Sequence, residues 1–97
     1  MVIMGIDPGY AIVGYGVVSA RSGKYRPMEY GAITTQAGEV FEDRLVSIYD
    51  SMCAVLAHNR PDAVSIEKLY FTNNKTTAIG VAEARGVILL AVRKAGG

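Results

Sequence analysis

Cysteine is almost absent from this 97-residue chain, in which Cys53 stands alone. A single thiol can form no internal disulfide and leaves zinc ribbons and disulfide-stapled secreted domains without their ligands, so a reducing compartment is expected, with Cys53 as a core residue. An excess of charge of one sign is missing too. Ten Lys and Arg face nine Asp and Glu, a formal charge of +1, and so small an excess creates no global field to gather nucleic acid or anionic lipid; any polyanion site must be local. No uninterrupted apolar run approaches the roughly 18 residues of a membrane span, and Asp7 breaks the N-terminal stretch before it could form the apolar region of a signal peptide. The expected location is the cytoplasm. Repeats, charge blocks and Ser/Gly-rich linkers are also lacking, so the chain reads as one domain or a piece of one, small enough to be only modestly stable.

What is present is a chain 51% hydrophobic, sorted into elements by its turn residues. "VIMGI" is a short continuous apolar run, the pattern of a central strand covered on both faces. Val13, Tyr15 and Val17 alternate with Gly14, Gly16 and Val18, and beyond the "RSGK" turn Met28 to Thr35 is strand-like again, giving a three-stranded meander. The period then changes: Phe41, Leu45, Ile48, Met52 and Val55 recur at steps of four and three, one stripe of a helix that starts among Glu39, Glu42 and Asp43 and finishes with His58 and Arg60 before Pro61. "DAVSIE" is a further strand. A second helix runs from about Asn74, with Thr76 or Thr77 as its cap. Ile79, Val81, Val87, Ile88, Leu89, Leu90 and Val92 surround most of that helix, so something beyond the sheet is expected to cover it. Gly80 and Gly86, each costing about 1 kcal/mol relative to alanine, suggest close approach of another backbone, a partner helix first.

Strand, strand, strand, helix, strand, helix is an α/β order, and a helical crossover makes the strand ending at Glu67 parallel to the first. Chemistry in such sheets gathers beyond the carboxyl ends of parallel strands. Asp7 and Glu67 both occupy such ends. On neighbouring strands their side chains start within about 5 Å of one another, and two carboxylates so placed repel unless a proton or a cation intervenes. A hard divalent cation is the natural resolution, Mg²⁺ being commonly held by one or two carboxylates with water and phosphate oxygens. Other readings stay open at this level. Asp-Pro-Gly is a good turn former in itself, Glu67 has simply reached solvent if its strand ends there, and a Gly-rich hairpin beside an acidic residue also suits the phosphate cradle of an actin-like ATPase.

Three blocks, "GIDPGYAIVGYGVV", "SIEKLYF" and "NKTTAIGVAEARGV", resemble the RuvC family of Holliday junction resolvases, ribonuclease-H-like endonucleases that cut four-way DNA junctions. The blocks stand in the family's order and separation and, with the elements between them, span essentially the whole chain. The resemblance implies an α/β ribonuclease-H-like mixed sheet of strand order 3-2-1-4-5 with flanking helices, and a metal site at the ends of strands 1 and 4. It implies four carboxylates. Asp7 matches the first and Glu67 the second, as catalytic and metal-binding residues, while the other two, with the fifth strand and the final acidic helix, have no match up to Gly97. Residues 1–97 are thus expected to be the N-terminal part of a single nuclease domain, with metal binding and cleavage much weakened in this form; a non-catalytic junction-binding or subunit-interaction fragment is the alternative.

The mechanism so implied is phosphodiester hydrolysis with two Mg²⁺ ions, or Mn²⁺ in their place, Asp7 bridging both and Glu67 assisting one. DNA contact is expected from Lys68, Tyr70, Phe71, Asn73, Asn74 and Lys75, which pair cations for phosphates with aromatic faces for unpaired bases, and from Arg85. The resemblance gives Tyr70 a place near the junction crossover. It also implies a homodimer, with Ile79, Ala82, Gly86, Leu89 and Leu90 at the contact, and a branch-migration helicase complex of the RuvA and RuvB type as partner. Arg21, Lys24 and Arg26 read as a solvated turn, and His58 and the four Met as helix-end and packing groups.

Overall fold

The computed structural model describes residues 1–9, 11–68 and 75–97, with the backbone alone at 75–77. Its elements run β1 (Val2–Asp7), β2 (Ile12–Arg21), β3 (Lys24–Thr34), α1 (Phe41–Asn59), β4 (Ala63–Ile66) and α2 (Lys75–Lys94). The described strands form one sheet in the order β3-β2-β1-β4, antiparallel except for the parallel β1–β4 pair. This is the mixed sheet expected from the element order, with the α1 crossover returning the chain beside β1.

The β2–β3 turn explains why β3 begins at Lys24, four positions before the expected Met28. Ser22 and Gly23 both have positive φ, 52° and 77°, the requirement of a two-residue turn whose twist matches that of the strands, so Arg21 and Lys24 pair at once. Pro27 does not interrupt the strand. It lies opposite Val18, where the register slips between Val17 and Val18, on an edge strand where a missing N–H is tolerated. Arg21, Lys24 and Arg26 stand exposed around this end, as a solvated turn requires.

One face of the sheet carries the core. Met4 and Ile6 of β1, Val13 and Val17 of β2 and Ile33 of β3 are buried with Ile48, Met52 and Leu56 of α1 and Ala84, Ile88, Ala91 and Val92 of α2 in a single cluster. The α1 stripe is therefore close to the one expected, but its last buried residue is Leu56, with Val55 only half-buried. Cys53 corrects the core expectation: it is half-buried, at the margin of the cluster. Helix α1 opens at Val40 without a side-chain cap, its first turn carrying Glu42 and Asp43 against the dipole. It closes at Arg60, which takes the left-handed conformation (φ 46°) and donates its N–H to the Leu56 carbonyl.

Helix α2 packs along α1. Because it begins at Lys75, Thr76 and Thr77 fall within its first turn and neither is the cap. Ile79, Leu89 and Leu90 remain 60%, 42% and 54% exposed, so the chain itself covers only part of the apolar circumference. A Cβ at Gly86 would meet nothing within 4 Å; no backbone of the described chain makes the close approach that this glycine suggested. No described helix is long and apolar enough to cross a membrane.

Candidate metal and nucleic-acid site

Period-two alternation decides which side chains share a face. With Met4 and Ile6 turned into the core, Ile3, Gly5 and Asp7 project from the opposite face of β1, beside Val18, Gly16 and Gly14 of β2. On the other flank, β4 pairs in parallel with Gly5 beside Ser65 and Ile6 beside Ile66. Glu67 follows directly, extending the ladder by donating its N–H to the Ile6 carbonyl oxygen at 3.0 Å. Asp7 and Glu67 are therefore the next positions along two neighbouring parallel strands, on the same open face. Both line one groove of about 360 Å³ together with Gly5, Gly14, Gly16 and Ser65.

The groove exists because its floor lacks side chains. Gly5 and Gly16 are directly paired, and Gly14 lies opposite Asp7; a Cβ at Gly14 would come within 3.8 Å of the Asp7 Cβ, whereas one at Gly5 or Gly16 would meet nothing within 4 Å. Interior strand glycines that no described neighbour requires mark a surface kept low for something to approach. Gly9 has a different reason: any Cβ there would collide with the carbonyl oxygen of Ile12, so the corner after Asp7 closes onto the start of β2 only with glycine.

Beneath the floor, Tyr15 turns toward the helix side and its hydroxyl donates to Glu29 Oε1 at 3.1 Å. Burial, together with this bond and the Glu29 charge, pushes the Tyr15 phenol above its ordinary value. Gly31 admits the ring, since a Cβ there would lie 2.7 Å from the Tyr15 oxygen. His58 Nε2 stands 3.7 Å from the other Glu29 oxygen at the end of α1, a helix-end position.

Two oxygen-donor carboxylates at the mouth of an open groove suit a hard cation such as Mg²⁺, which retains water and takes substrate oxygens to complete its shell. The described residues hold no group of three or more His, Cys, Asp or Glu that would form a cage on its own. The donor set fits an ion shared with a phosphate better than a closed structural site.

Of the other sequence-predicted residues, Lys68 is exposed beside Glu67. Tyr70, Phe71, Asn73 and Asn74 lie outside the described residues, and of Lys75 only the backbone is described, as the first residue of α2. Arg85 is half-buried and donates from Nε to the Glu67 carbonyl oxygen at 3.3 Å, which brings α2 to the site by a contact that spacing alone did not reveal. Ile79, Ala82, Gly86, Leu89 and Leu90 are all exposed and lie along one side of α2, away from Ala84, Ile88 and Ala91. The glycine floor was not identified from the sequence, although Gly14 and Gly16 at a spacing of two carry its signal.

A mixed sheet of this order, with helices on its core face and paired carboxylates at the ends of the two parallel strands, places the chain in the ribonuclease-H-like class. The sequence model for "Crossover junction endodeoxyribonuclease RuvC" matches residues 3–97. The chain belongs to that family. It is 51% identical over 96 residues to the crossover junction endodeoxyribonuclease RuvC of Brevibacillus brevis and 49% identical to that of Ruminiclostridium cellulolyticum, in each case covering 99% of this chain and 58% of the relative. The structure of T. thermophilus RuvC in complex with a Holliday junction substrate superimposes with a TM-score of 0.91 at 33% identity, over 99% of this chain and 61% of that one. The chain thus spans about three-fifths of the relatives it matches. A Ppx/GppA phosphatase of Aquifex aeolicus is similar at a TM-score of 0.63 and 14% identity, a likeness of fold alone.

Proposed function

We propose that this chain supplies the first two metal-binding carboxylates of a structure-selective endonuclease that resolves four-way DNA junctions in recombination and repair. The observation that carries the proposal is the shared groove: Asp7 and Glu67 meet at the ends of neighbouring parallel strands in a chain of the crossover junction endodeoxyribonuclease family. Under this reading Asp7 and Glu67 hold Mg²⁺, or Mn²⁺ in its place, with Asp7 at the centre of the sheet placed to serve two ions. When bound, such ions supply an activated water and charge stabilisation at the scissile phosphate. The protein's own part is to set the two carboxylates side by side and to leave the groove floor low enough for a phosphate to reach them.

Lys68, Lys75 and Arg85 are assigned to DNA phosphates, and Tyr70, Phe71, Asn73 and Asn74 to exposed bases at the junction, with Tyr70 nearest the crossover. The T. thermophilus relative solved with a Holliday junction substrate supports this choice of DNA. The exposed side of α2, at Ile79, Ala82, Gly86, Leu89 and Leu90, is assigned to a homodimer, since a two-fold junction needs two opposed cuts. Residues 1–97 are assigned to the N-terminal part of one nuclease domain, completed by two further carboxylates, working in the cytoplasm with a branch-migration helicase of the RuvA and RuvB type.

A nicking assay on a synthetic four-way junction with Mg²⁺ tests the reading. The 97-residue chain is expected to cleave far more slowly than a full-length relative. Asp7→Asn or Glu67→Gln in a full-length protein carrying these blocks abolishes cleavage. Turnover by the short chain equal to that of a full-length resolvase overturns the four-carboxylate assignment, and unimpaired cleavage by the Asp7→Asn protein overturns the site itself.

A further inference from the structure

The backbone of Glu67 is held on both sides, through the peptide that precedes it and the peptide that follows. Its N–H donates to Ile6 at 3.0 Å, and its carbonyl oxygen accepts from Arg85 Nε, 18 residues further along the chain, at 3.3 Å. The first bond is the end of a ladder: β4 has only four residues, and among the described strands it has a partner on one side alone. One terminal ladder bond holds only the peptide that precedes Glu67 and leaves φ and ψ of Glu67 unfixed, and with φ the direction in which its Cα–Cβ bond leaves the backbone. The second bond removes that freedom. It comes from a half-buried arginine on α2, a helix anchored through Ala84, Ile88 and Ala91 in the core.

Arginine offers five N–H donors in a rigid planar fork suited to carboxylates and phosphates. Here its Nε is directed at an uncharged backbone oxygen, which gains little as charge pairing but much as geometry. We propose that Arg85 is a positioning residue for the metal site: by holding the Glu67 carbonyl it fixes the carboxylate of Glu67 beside that of Asp7 and presets the two as donors to one divalent cation. The proposal rests on Asp7 and Glu67 being metal ligands and assigns Arg85 a task that does not require DNA. Groups that orient a metal ligand are commonly worth 10- to 100-fold in metal affinity.

The test uses Mn²⁺ as the probe, with free ion followed by electron paramagnetic resonance, and NMR hydrogen exchange at the Glu67 amide. Arg85→Met is expected to weaken Mn²⁺ binding by about tenfold and to accelerate exchange at Glu67 while the Met4 amide in mid-sheet is unchanged. Arg85→Lys, which keeps a donor, restores part of both, and Asp7→Asn removes the Mn²⁺ site altogether. A merely structural role for Arg85 predicts a uniform rise in exchange through α2 and the sheet, and that result overturns the proposal. So does wild-type Mn²⁺ affinity together with wild-type Glu67 exchange in Arg85→Met, or faster Glu67 exchange with Mn²⁺ affinity unchanged. If the unaltered chain binds Mn²⁺ too weakly to measure, the same Arg85 variants are read in a full-length protein carrying these blocks; if that protein binds no Mn²⁺ either, the metal reading of Asp7 and Glu67 fails, and the Glu67 amide alone then decides whether Arg85 fixes this stretch of backbone. Should Arg85→Met not fold, Arg85→Gln, polar but too short to reach, gives the same decision.

Discussion

Adding one carbon atom should have opposite effects at two glycines near the same groove. At Gly9 a Cβ collides with the Ile12 carbonyl oxygen. That oxygen belongs to the backbone at the start of β2, so no side-chain rotation relieves the collision, and the corner after Asp7 must open. Forcing atoms into filled space costs typically 1–3 kcal/mol, and at about 4–8 °C per kcal/mol for a domain of this size Gly9→Ala should lower the melting midpoint by roughly 4–24 °C. At Gly16 the added carbon meets nothing within 4 Å. Glycine inside a strand is less stable than alanine by about 0.5–1 kcal/mol, so Gly16→Ala should raise the midpoint by roughly 2–8 °C. Circular dichroism melts of the two variants beside the parent chain give both numbers. A Gly9→Ala protein as stable as the parent refutes the close-approach account of the Asp-Pro-Gly corner. A destabilised Gly16→Ala protein refutes the claim that this floor is bare for reasons outside the chain's own packing. Residue 16 forfeits available stability beside the candidate site, as expected where a surface must stay low.

Ile88 of α2 is fully buried in the core cluster, so Ile88→Ala should cost about 2–5 kcal/mol, read as a lower urea midpoint at unchanged slope; a loss under about 1 kcal/mol would show that α2 is not docked as described. Tyr15 titrates above its ordinary value in the folded protein, so the folded state holds that proton more tightly than the unfolded chain. Its contribution is fully present below the unfolded phenol value, about 10, and fades as pH rises through the higher folded one. The stability difference between the parent and Tyr15→Phe should therefore be constant from pH 7 to 9 and shrink above pH 10, and a difference that grows there contradicts the Glu29 bond. Arg60 holds a left-handed conformation at the end of α1, which disfavours any residue with a Cβ, so Arg60→Gly should stabilise the chain by about 0.5–1 kcal/mol in chemical denaturation; a loss would mean that the arginine side chain makes contacts worth more than the strain.

Much of the architecture was legible because period is a local property. The change from alternation in β1–β3 to steps of three and four in α1 lies in consecutive residues, and a helix between two strands makes the parallel β1–β4 pairing nearly obligatory. That pairing, with the register of two short strands, is enough to align Asp7 with Glu67. The start of β3 was less legible, because it depends on two positive φ values at Ser22 and Gly23 and on a bulge that admits Pro27, and neither is a matter of hydrophobic period. The Thr76 or Thr77 cap failed for a similar reason: both residues are chemically suitable, but the helix starts at Lys75. Cys53 was assigned to the core by residue type, whereas its burial depends on how far α2 extends over α1.

By itself the sequence determined the element order, the parallel crossover and the family, since each follows from spacing and residue type along the chain. Tertiary structure alone decided that Gly5, Gly14 and Gly16 form one floor and that Arg85 reaches the Glu67 carbonyl. These contacts join residues far apart in the chain, and their geometry is set by sheet register and helix docking, which no local pattern encodes.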